Sequence, residues 1–305
     1  MTRLNWYKGN IHTHTTKSDG DDTPENVVRW FRRHGYDFLV LSDHNHLTLL
    51  EYGRGKRRFR RPLMIPGEEV SVNIHRGETA IHVNGIGVSR VVEPVDATEV
   101  VPTLQANVDA ILGAGGIASI NHPNYKWSFD HTAISQVNGA SLLEVFNGHP
   151  LMNANGAPGK PSFEGIWDGV LSAGKAIFGV ATDDSHNYKD FRPDLANPGR
   201  GWLMVRSREL SQDAIVEALA AGEFYASTGI VLDELGISGK TISLRIAQHH
   251  DFVYTTRFIG RNGHVYGEVV GTEAEYSVQG NEGYVRAAVT CSSRPRAWTQ
   301  PVFVT

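Results

Sequence analysis

The amino-terminal part of the chain alternates helical apolar spacing with short apolar runs. In residues 23–34, TPENVVRWFRRH, the two valines and the phenylalanine have the spacing of one helical face, and the leading Thr-Pro favours a helix start. Gly35 suits the left-handed position that commonly ends a helix. The next run, DFLVLS at residues 37–42, is short and largely apolar and predicts a buried strand.

The same alternation of helix and strand recurs along the chain. TLQANVDAILGAGG precedes IASINHP, FEGIWDGVLSAGK precedes AIFGVATDDSH, and SQDAIVEALAAG follows GWLMVRS. Apolar strands that alternate with helices are typical of parallel strands covered by helices, in a barrel or an open α/β sheet. The sequence therefore predicts an α/β fold for residues 1–230.

The pattern changes near residue 230. Short segments rich in β-branched and aromatic residues follow one another there, among them ISLRIAQ, DFVYTTRFIG, HVYGEVVG and YVRAAVTCSS. The segment RNGH between two of them predicts a hairpin turn. We expect a small antiparallel β module over residues 231–305 that packs on the preceding domain.

The composition narrows the range of functions. The 305 residues are 40% hydrophobic and 20% charged and include 32 glycines, as expected for a globular enzyme with many turns. The net charge of −4 argues against binding of long nucleic acid, and the single cysteine, Cys291, excludes a disulfide framework or a Cys-based zinc site. No apolar run has the length of a signal peptide or a membrane helix, so we expect a cytoplasmic protein that does not bind membranes.

Side chains that commonly bind metals follow the predicted strands, mostly at their carboxyl ends. His12 and His14 lie two residues apart, so both point to the same side of a strand. The other segments are LVLSDHN with His44, LMIPGEEVS with Glu68 and Glu69, AIHVNGIG with His82, IASINHP with His122, and FGVATDDSH with Asp184 and His186. Sites of α/β folds are built at this end of the strands, and charged groups that converge there are stabilised by metal ions.

Taken together, the motifs resemble the polymerase-and-histidinol-phosphatase (PHP) superfamily of metal-dependent hydrolases. The matching features are the early His-x-His, the following Asp19, the segments SDHN, PGEE and NHP, and the final Asp-x-His, in the order of that family. The segments FYASTG and AWTQPVFV further resemble the branch named for the carbaryl hydrolases. The resemblance covers essentially the whole chain and implies a distorted (β/α)7 barrel, here followed by the antiparallel module.

The resemblance also implies a centre of up to three divalent metal ions, for which imidazole and carboxylate ligands suit Zn²⁺, Mn²⁺ or Fe²⁺. The implied ligands are His12, His14 and Asp184 with a bridging glutamate for the first metal, that glutamate with His82 and His122 for the second, and Asp19, His44 and His186 for the third. The Pro-Gly-x-Glu pattern favours Glu69 as the bridge, with Glu68 as the alternative. His75 is the alternative to His82, and Asp183 is the neighbour of Asp184 that fits the Asp-x-His pattern less well.

The chemistry implied is hydrolysis. A water that bridges two metals held by Glu69 and Asp184 would become a hydroxide nucleophile, and the remaining metal would stabilise negative charge in the transition state. A small phosphomonoester or phosphodiester has several anionic oxygens and suits three cations, so a phosphoesterase is the first hypothesis. A carbamate or aryl-ester hydrolase that uses the same metal site is the second, and a binding protein with a structural metal site is the third.

Basic and imidazole side chains near these motifs are candidates for substrate binding. Lys17 in TTKSDG and Arg200 in NPGRGW lie in loops beside metal motifs and could bind phosphate oxygens. His149 follows the predicted strand SLLEVFNG and could face the mouth of the site. The run KRRFRRP at residues 56–62 is either a solvated loop or an electrostatic funnel for a small anionic phosphate ester.

Overall fold

The computed structural model describes residues 4–50, 62–238 and 240–304. All but the last residue of the basic run KRRFRRP lie outside the described residues. The α-helices are α1 Pro24–Arg33, α2 Val100–Gly113, α3 His131–Ile134, α4 Phe163–Ser172 and α5 Gln212–Ala220. The strands are β1 Asn5–Asn10, β2 Phe38–Leu39, β3 Leu63–Met64, β4 Gly67–Ile74, β5 Thr79–Ile86, β6 Ile117–Ile120, β7 Ala140–Asn147, β8 Phe178–Thr182, β9 Trp202–Ser207, β10 Phe224–Ser227, β11 Leu232–Ser238, β12 Thr241–Ile246, β13 Tyr254–Gly260, β14 His264–Val270, β15 Glu273–Ser277, β16 Tyr284–Cys291, β17 Arg296–Thr299 and β18 Val302–Phe303.

Helix α1 forms where its sequence pattern predicts it. The Thr23 side chain caps the helix by accepting a hydrogen bond from the Asn26 backbone N–H, and a proline occupies the first turn, where its missing N–H costs nothing. The apolar face made by Val27, Val28 and Phe31 is buried. This face packs with β2 and its neighbours in one hydrophobic cluster, so the helix covers the start of the sheet.

The strands form three hydrogen-bonded sheets. A 10-stranded sheet has the order β14-β13-β16-β17-β10-β9-β1-β2-β3, with β18 paired to β16, a 5-stranded sheet has the order β4-β5-β6-β7-β8, and a 3-stranded sheet has the order β11-β12-β15. Parallel pairs join β1 to β2, β2 to β3, β6 to β7 and β7 to β8, whereas the β4–β5–β6 pairs are antiparallel. The α/β class is therefore confirmed.

The predicted (β/α)7 barrel is not confirmed. Within the described residues the hydrogen-bonded ladders do not close, and β4, β5 and β6 pair antiparallel, whereas the strands of a (β/α) barrel are parallel. A short turn joins β4 to β5, so no crossover helix is needed there.

Two isolated parallel bridges connect the 5-stranded sheet to the chain that follows β1 and β2. Thr13 pairs with Ser185, and His44 pairs with Glu69. Thr13, Ser185 and His44 follow the carboxyl ends of β1, β8 and β2, whereas Glu69 lies near the start of β4. Each bridge includes or adjoins a histidine or carboxylate motif of the sequence. The two sheets therefore meet at the place where those side chains lie.

The antiparallel strands at the carboxyl end continue the main sheet. Strand β17 pairs with β10, which in turn pairs with β9, so the 10-stranded sheet crosses residue 230 without a break. Helix α4 also contacts β16 through Asp168, whose carboxylate accepts two hydrogen bonds from the buried Arg286 guanidinium, at 2.7 and 2.8 Å. The division into residues 1–230 and 231–305 stays a prediction. Among the described helices, none is long and apolar enough to cross a membrane.

Candidate metal site

The structure brings all nine predicted ligands together. Their ligand-type atoms form four overlapping groups, and within each group the atoms lie within 4.8 Å of one another. The groups are His14, Asp19, His44 and His186; His12, His14 and Glu69; His12, His122 and Asp184; and His44, Glu69 and His82. The first group contains the three ligands implied for the third metal together with His14.

Glu69 lies at the centre of the cluster. Its side chain is 1% exposed, and its Oε1 lies 3.1 Å from His82 Nδ1 and 3.1 Å from His122 Nε2. Its Oε2 lies 3.0 Å from His44 Nδ1 and 3.4 Å from His14 Nε2. Burial opposes ionisation of Glu69, but the neighbouring imidazoles outweigh it and hold the pKa of that carboxyl well below its usual range. One carboxylate therefore faces imidazoles from several strands at once.

Asp184 occupies an equivalent position at the end of β8. Its Oδ1 lies 3.2 Å from His12 Nε2 and 3.2 Å from His14 Nε2, and Asn147 donates a hydrogen bond to its Oδ2 at 3.1 Å. Its backbone φ is 48°, in the left-handed region that aspartate tolerates better than most residues. This turn of the chain aims the carboxylate at the His12–His14 pair.

Asp19 reaches the cluster from the loop after β1. Its side chain is 56% exposed, and it lies 3.2 Å from His186 Nε2, 3.6 Å from His44 Nε2 and 3.6 Å from His14 Nδ1. Hydrogen bonding and charge attraction from these rings outweigh partial burial and hold the pKa of the carboxyl well below its usual range. Asp19 thus forms the solvent side of the cluster, whereas Glu69 and Asp184 form its floor.

The outward nitrogens of several rings are hydrogen-bonded in a way that fixes which nitrogen faces the cluster. His12 Nδ1 donates to the Glu144 carboxylate at 2.7 Å, and His186 Nδ1 donates to the backbone carbonyl of Asp184 at 2.9 Å. Each ring therefore carries a proton on Nδ1 and turns Nε2 toward the cluster. This arrangement is typical of metal-ligating histidines, whose second nitrogen donates to a carboxylate or carbonyl.

Four side-chain atoms of the predicted ligand residues are buried and lack a hydrogen-bond partner. They are His12 Nε2, His14 Nε2, His82 Nε2 and Glu69 Oε2. A buried polar atom without a partner costs free energy, and such atoms are rare in folded proteins. Three imidazole nitrogens and a carboxylate oxygen are all electron-pair donors to borderline divalent cations. The residues present therefore fit the metal centre that the resemblance implies.

The alternatives named for three ligands lie elsewhere. His75 is in the exposed turn between β4 and β5, and its Nδ1 lies 3.2 Å from Thr79 Oγ1. Glu68 points away from the cluster and accepts a hydrogen bond from the Val92 backbone at 2.7 Å. Asp183 accepts hydrogen bonds from the backbone N–H groups of Arg200 and Gly201, at 2.6 and 2.9 Å, and burial raises its pKa to about 6.

The three residues expected to bind substrate have different surroundings. Lys17 is exposed in the loop between His14 and Asp19. The Arg200 guanidinium donates to the backbone carbonyls of Gly148 and Arg192, both at 2.9 Å, so much of its donor capacity is already used within the protein. His149 lines the cavity beside the cluster, and burial, together with the nearby imidazoles, lowers its pKa to about 4.

Sequence reasoning missed the residues that support the ligands. Buried Glu144 accepts hydrogen bonds from His12, from the His122 backbone N–H at 2.7 Å and from Thr182 Oγ1 at 2.6 Å. Asp43, which precedes the predicted ligand His44, accepts hydrogen bonds from Thr15, Ser18 and Thr48 and so fixes the loop that carries Asp19. The sequence indicates Glu144 and Asp43 only as acidic residues within or at the end of a predicted apolar strand.

A cavity of about 140 Å³ opens over the cluster. Its walls combine ligands with the side chains of Tyr125, His149, Leu151 and Met152. The Tyr125 ring lies 5.6 Å from the His122 ring, measured between centroids. The space beside the predicted ligands is therefore small and is lined by both polar and apolar side chains.

Comparison with known proteins shows which solved structures resemble this fold. No protein-family model and no curated protein matches the sequence. A two-domain protein from Bacteroides vulgatus, containing a predicted PHP-like metal-dependent phosphoesterase, matches 94% of this chain and 91% of its own, with 18% identity and a TM-score of 0.52.

Two shorter matches have lower scores. A candidate metal-dependent phosphoesterase from Bifidobacterium adolescentis matches 58% of this chain and 87% of its own, with 14% identity and a TM-score of 0.38. An amidohydrolase from Chromobacterium violaceum, solved with sulfate and no metal, matches 62% of this chain and 93% of its own, with 16% identity and a TM-score of 0.40. None of the three descriptions names a carbaryl hydrolase, so that closer resemblance stays a prediction. The chain therefore shares its fold with the two-domain PHP-like protein of Bacteroides vulgatus.

Proposed function

We propose that this protein is a metal-dependent hydrolase, and specifically a phosphoesterase that acts on a small phosphomonoester or phosphodiester. The observation that carries the proposal is the cluster of imidazole and carboxylate donors, in which four buried donor atoms have no hydrogen-bond partner. A folded protein tolerates such a set when cations satisfy it. The fold shared with a PHP-like protein agrees with this reading as an analogy.

The proposed metal positions are those that the resemblance implies. His12, His14 and Asp184 with the bridging Glu69 would hold one divalent ion, Glu69 with His82 and His122 a second, and Asp19, His44 and His186 a third. The third set lies within one of the four donor groups, whereas the first two sets draw on several of them. The donors contain no thiolate and suit Zn²⁺, Mn²⁺ or Fe²⁺. Such ions supply Lewis-acid activation of water and neutralise negative charge on a reacting ester.

Side chains and backbone groups of the protein would position the metal ions and the histidines that hold them. Glu69 and Asp184 are both ionised and buried, and each faces rings of more than one donor group, so they fix the spacing of the metal positions. Glu144 and the Asp184 carbonyl hold the His12 and His186 rings in one tautomer. The cavity of about 140 Å³ admits a small ester group and limits the water around it.

Phosphate esters are the first choice of substrate because their anionic oxygens can engage several cations at once. Lys17, Arg200 and His149 are proposed to contact that group or to position residues that do. We propose that the protein binds a small anionic ester and that it binds neither long nucleic acid nor membranes. We also propose that it is located in the cytoplasm. A carbamate or aryl-ester hydrolase is the second candidate, because the apolar side chains of Leu151 and Met152 line the same cavity and would contact an aryl group.

Hydrolysis of matched reporter substrates tests the proposal. Protein reconstituted with Mn²⁺, Fe²⁺ or Zn²⁺ is given a nitrophenyl phosphomonoester, a phosphodiester, a carboxylic ester and an N-methylcarbamate. We expect turnover of a phosphorus ester that requires the metal. Turnover of the ester or the carbamate alone would move the assignment to the second candidate. A metal-loaded protein that hydrolyses none of the four would favour a binding protein with a structural metal site.

A further inference from the structure

The tautomer of His149 is fixed by a backbone group outside the metal cluster. The Leu151 backbone N–H donates a hydrogen bond to His149 Nδ1, at a distance of 3.2 Å between the nitrogens. A backbone amide always carries its hydrogen, so Nδ1 must supply the lone pair. A ring that accepts through Nδ1 is neutral and carries its single proton on Nε2. His149 therefore has one tautomer while this contact is made, with an N–H donor on the other side of the ring.

The loop that carries His149 is held from both sides. The His149 backbone N–H donates to Asn147 Oδ1 at 2.8 Å, and the amide of the same asparagine donates to Asp184 Oδ2 at 3.1 Å. The Arg200 guanidinium donates to the Gly148 carbonyl at 2.9 Å. The position of His149 is thus coupled to Asp184 through Asn147 and to the following loop through Arg200.

The ring of His149 borders the cavity over the donor cluster. It lies edge-on to the His186 ring, with the ring planes at 86° and the centroids 5.3 Å apart. Among the described residues, no protein atom accepts a hydrogen bond from Nε2, whereas Nδ1 is occupied. The nitrogen that carries the proton is therefore the one available to a molecule in the cavity.

We infer that His149 is a neutral hydrogen-bond donor that binds an oxygen of the substrate through Nε2–H, and that Arg200 and Asn147 are its positioning residues. The inference rests on the proposed function and deepens it by assigning the substrate-side group. A neutral imidazole with a fixed N–H is suited to stabilise charge that develops on oxygen, because its dipole is already oriented and no proton has to move. The ligand class is an ester with a free oxygen near the cluster, foremost a phosphate ester.

Paired substitutions at position 149 test the role of Nε2–H. His149→Gln places an amide N–H near the position of Nε2, whereas the shorter His149→Asn places its amide near Nδ1. We expect kcat/KM for the phosphorus-ester reporter to fall by roughly 10²-fold in H149N and to recover to within several-fold of wild type in H149Q. Bound metal should be equal in both variants, and His264→Asn, an exposed histidine on β14, should match wild type.

A spectroscopic measurement tests the tautomer without any substrate. Zinc-loaded protein with ¹⁵N-labelled histidine is observed by long-range ¹H–¹⁵N correlation, and the His149 signals are identified by their loss in H149Q. We expect the pattern of a neutral ring protonated on Nε2. A ring protonated on Nδ1, or an H149N protein with wild-type turnover and metal content, would overturn the inference. Wild-type protein without phosphorus-ester turnover would overturn the proposed function, while the tautomer measurement would still report on His149.

Discussion

His12 Nδ1 lies 2.7 Å from Glu144 Oε1, and both side chains are fully buried. The contact joins His12, two residues beyond β1, to the middle of β7, which is far away in the sequence. The same carboxylate accepts hydrogen bonds from the His122 backbone, Thr182 and Asn147, so Glu144 is surrounded by donors. It thereby orients His12 and fixes the backbone at His122.

Replacement of Glu144 should therefore lower metal affinity. In Glu144→Gln one oxygen becomes an NH₂ group that faces other donors, so the hydrogen bonds around His12 cannot all be kept. We expect the metal affinity to fall by about 10–100-fold, the range found for groups that orient metal-binding histidines. Metal titration by calorimetry, with the bound metal per chain measured by emission spectroscopy, gives the result.

Glu68→Gln is the matched control for Glu144→Gln. Glu68 is also a buried strand glutamate, but it accepts a hydrogen bond from the Val92 backbone and lies outside the donor groups. Metal binding in E68Q should match wild type. If E68Q and E144Q lost metal affinity equally, the effect would be one of general folding and the orienting role of Glu144 would be wrong.

The second prediction concerns the carboxylate of Asp184. Asparagine tolerates the left-handed backbone at this position about as well as aspartate, so Asp184→Asn changes the charge with little backbone strain. We expect metal-dependent turnover to be lost and bound metal to fall, because His12 and His14 would lose the carboxylate that faces both of them. A fully active, fully metallated D184N protein would contradict the ligand assignment. Asp183→Asn, at the preceding residue, should weaken the hydrogen bonds from the Arg200 and Gly201 backbone N–H groups and so lower the stability of the protein. Bound metal should be retained in this variant.

The sequence predicted the donors of the site better than the architecture that carries them. Histidines and carboxylates near strand ends made a metal site the expected feature, the family resemblance selected nine of them, and these nine lie together. The α/β class and helix α1 also followed from local periodicity. The barrel was predicted by resemblance, and the antiparallel β4–β5–β6 pairing differs from it because strand direction is set by partners distant in the chain.

Long-range polar contacts were the other part that periodicity could not predict. Arg200 was expected to contact a substrate phosphate from its position in a loop, but its guanidinium donates to backbone carbonyls at Gly148 and Arg192. In the sequence, Glu144 is one polar residue in an apolar strand. The neighbouring residues in the sequence do not indicate that it contacts His12. Such pairs depend on which strands become neighbours, and the sequence of one strand does not encode its neighbour.

The third prediction concerns the ion pair between α4 and β16. Arg286 is fully buried, lies 2.9 Å from Glu164 Oε1 and donates hydrogen bonds to Asp168 at 2.7 and 2.8 Å. Arg286→Met leaves two carboxylates without their cation, which costs about 3–5 kcal/mol of unfolding free energy in comparable buried pairs. Urea unfolding of metal-loaded protein measures the loss.

An exposed pair provides the control for Arg286→Met. Arg257 lies 2.7 Å from Glu268 on the surface of the β13–β14 hairpin, and both side chains are about half exposed. Arg257→Met should change the unfolding free energy by less than about 1 kcal/mol. Equal effects of R286M and R257M would mean that the buried pair does not tie α4 to β16.

The last prediction is a pH dependence away from the metal site. Burial raises the pKa of Glu282, but hydrogen bonds from the backbone N–H of Gln279, the Tyr276 hydroxyl and the backbone N–H of Gly280 outweigh it and bring the pKa to about 2. In the unfolded chain the same carboxyl has a pKa near the ordinary glutamate value of 4.5. The folded state therefore binds this proton less readily. The stabilisation is complete above the unfolded pKa and is lost as pH falls toward the folded pKa.

Glu282→Gln isolates this contribution, because any change in the metal site with pH is common to both proteins. At pH 6 we expect wild type to be more stable than E282Q by about 1.5–3 kcal/mol, the value of hydrogen bonds to a charged group. The difference should shrink steadily between pH 5 and pH 2.5, because the carboxylate of the unfolded wild type becomes protonated over that range. Urea unfolding of the two proteins across these pH values measures the difference. A constant difference would mean that the loss in E282Q comes from packing, and the low folded pKa of Glu282 would be wrong.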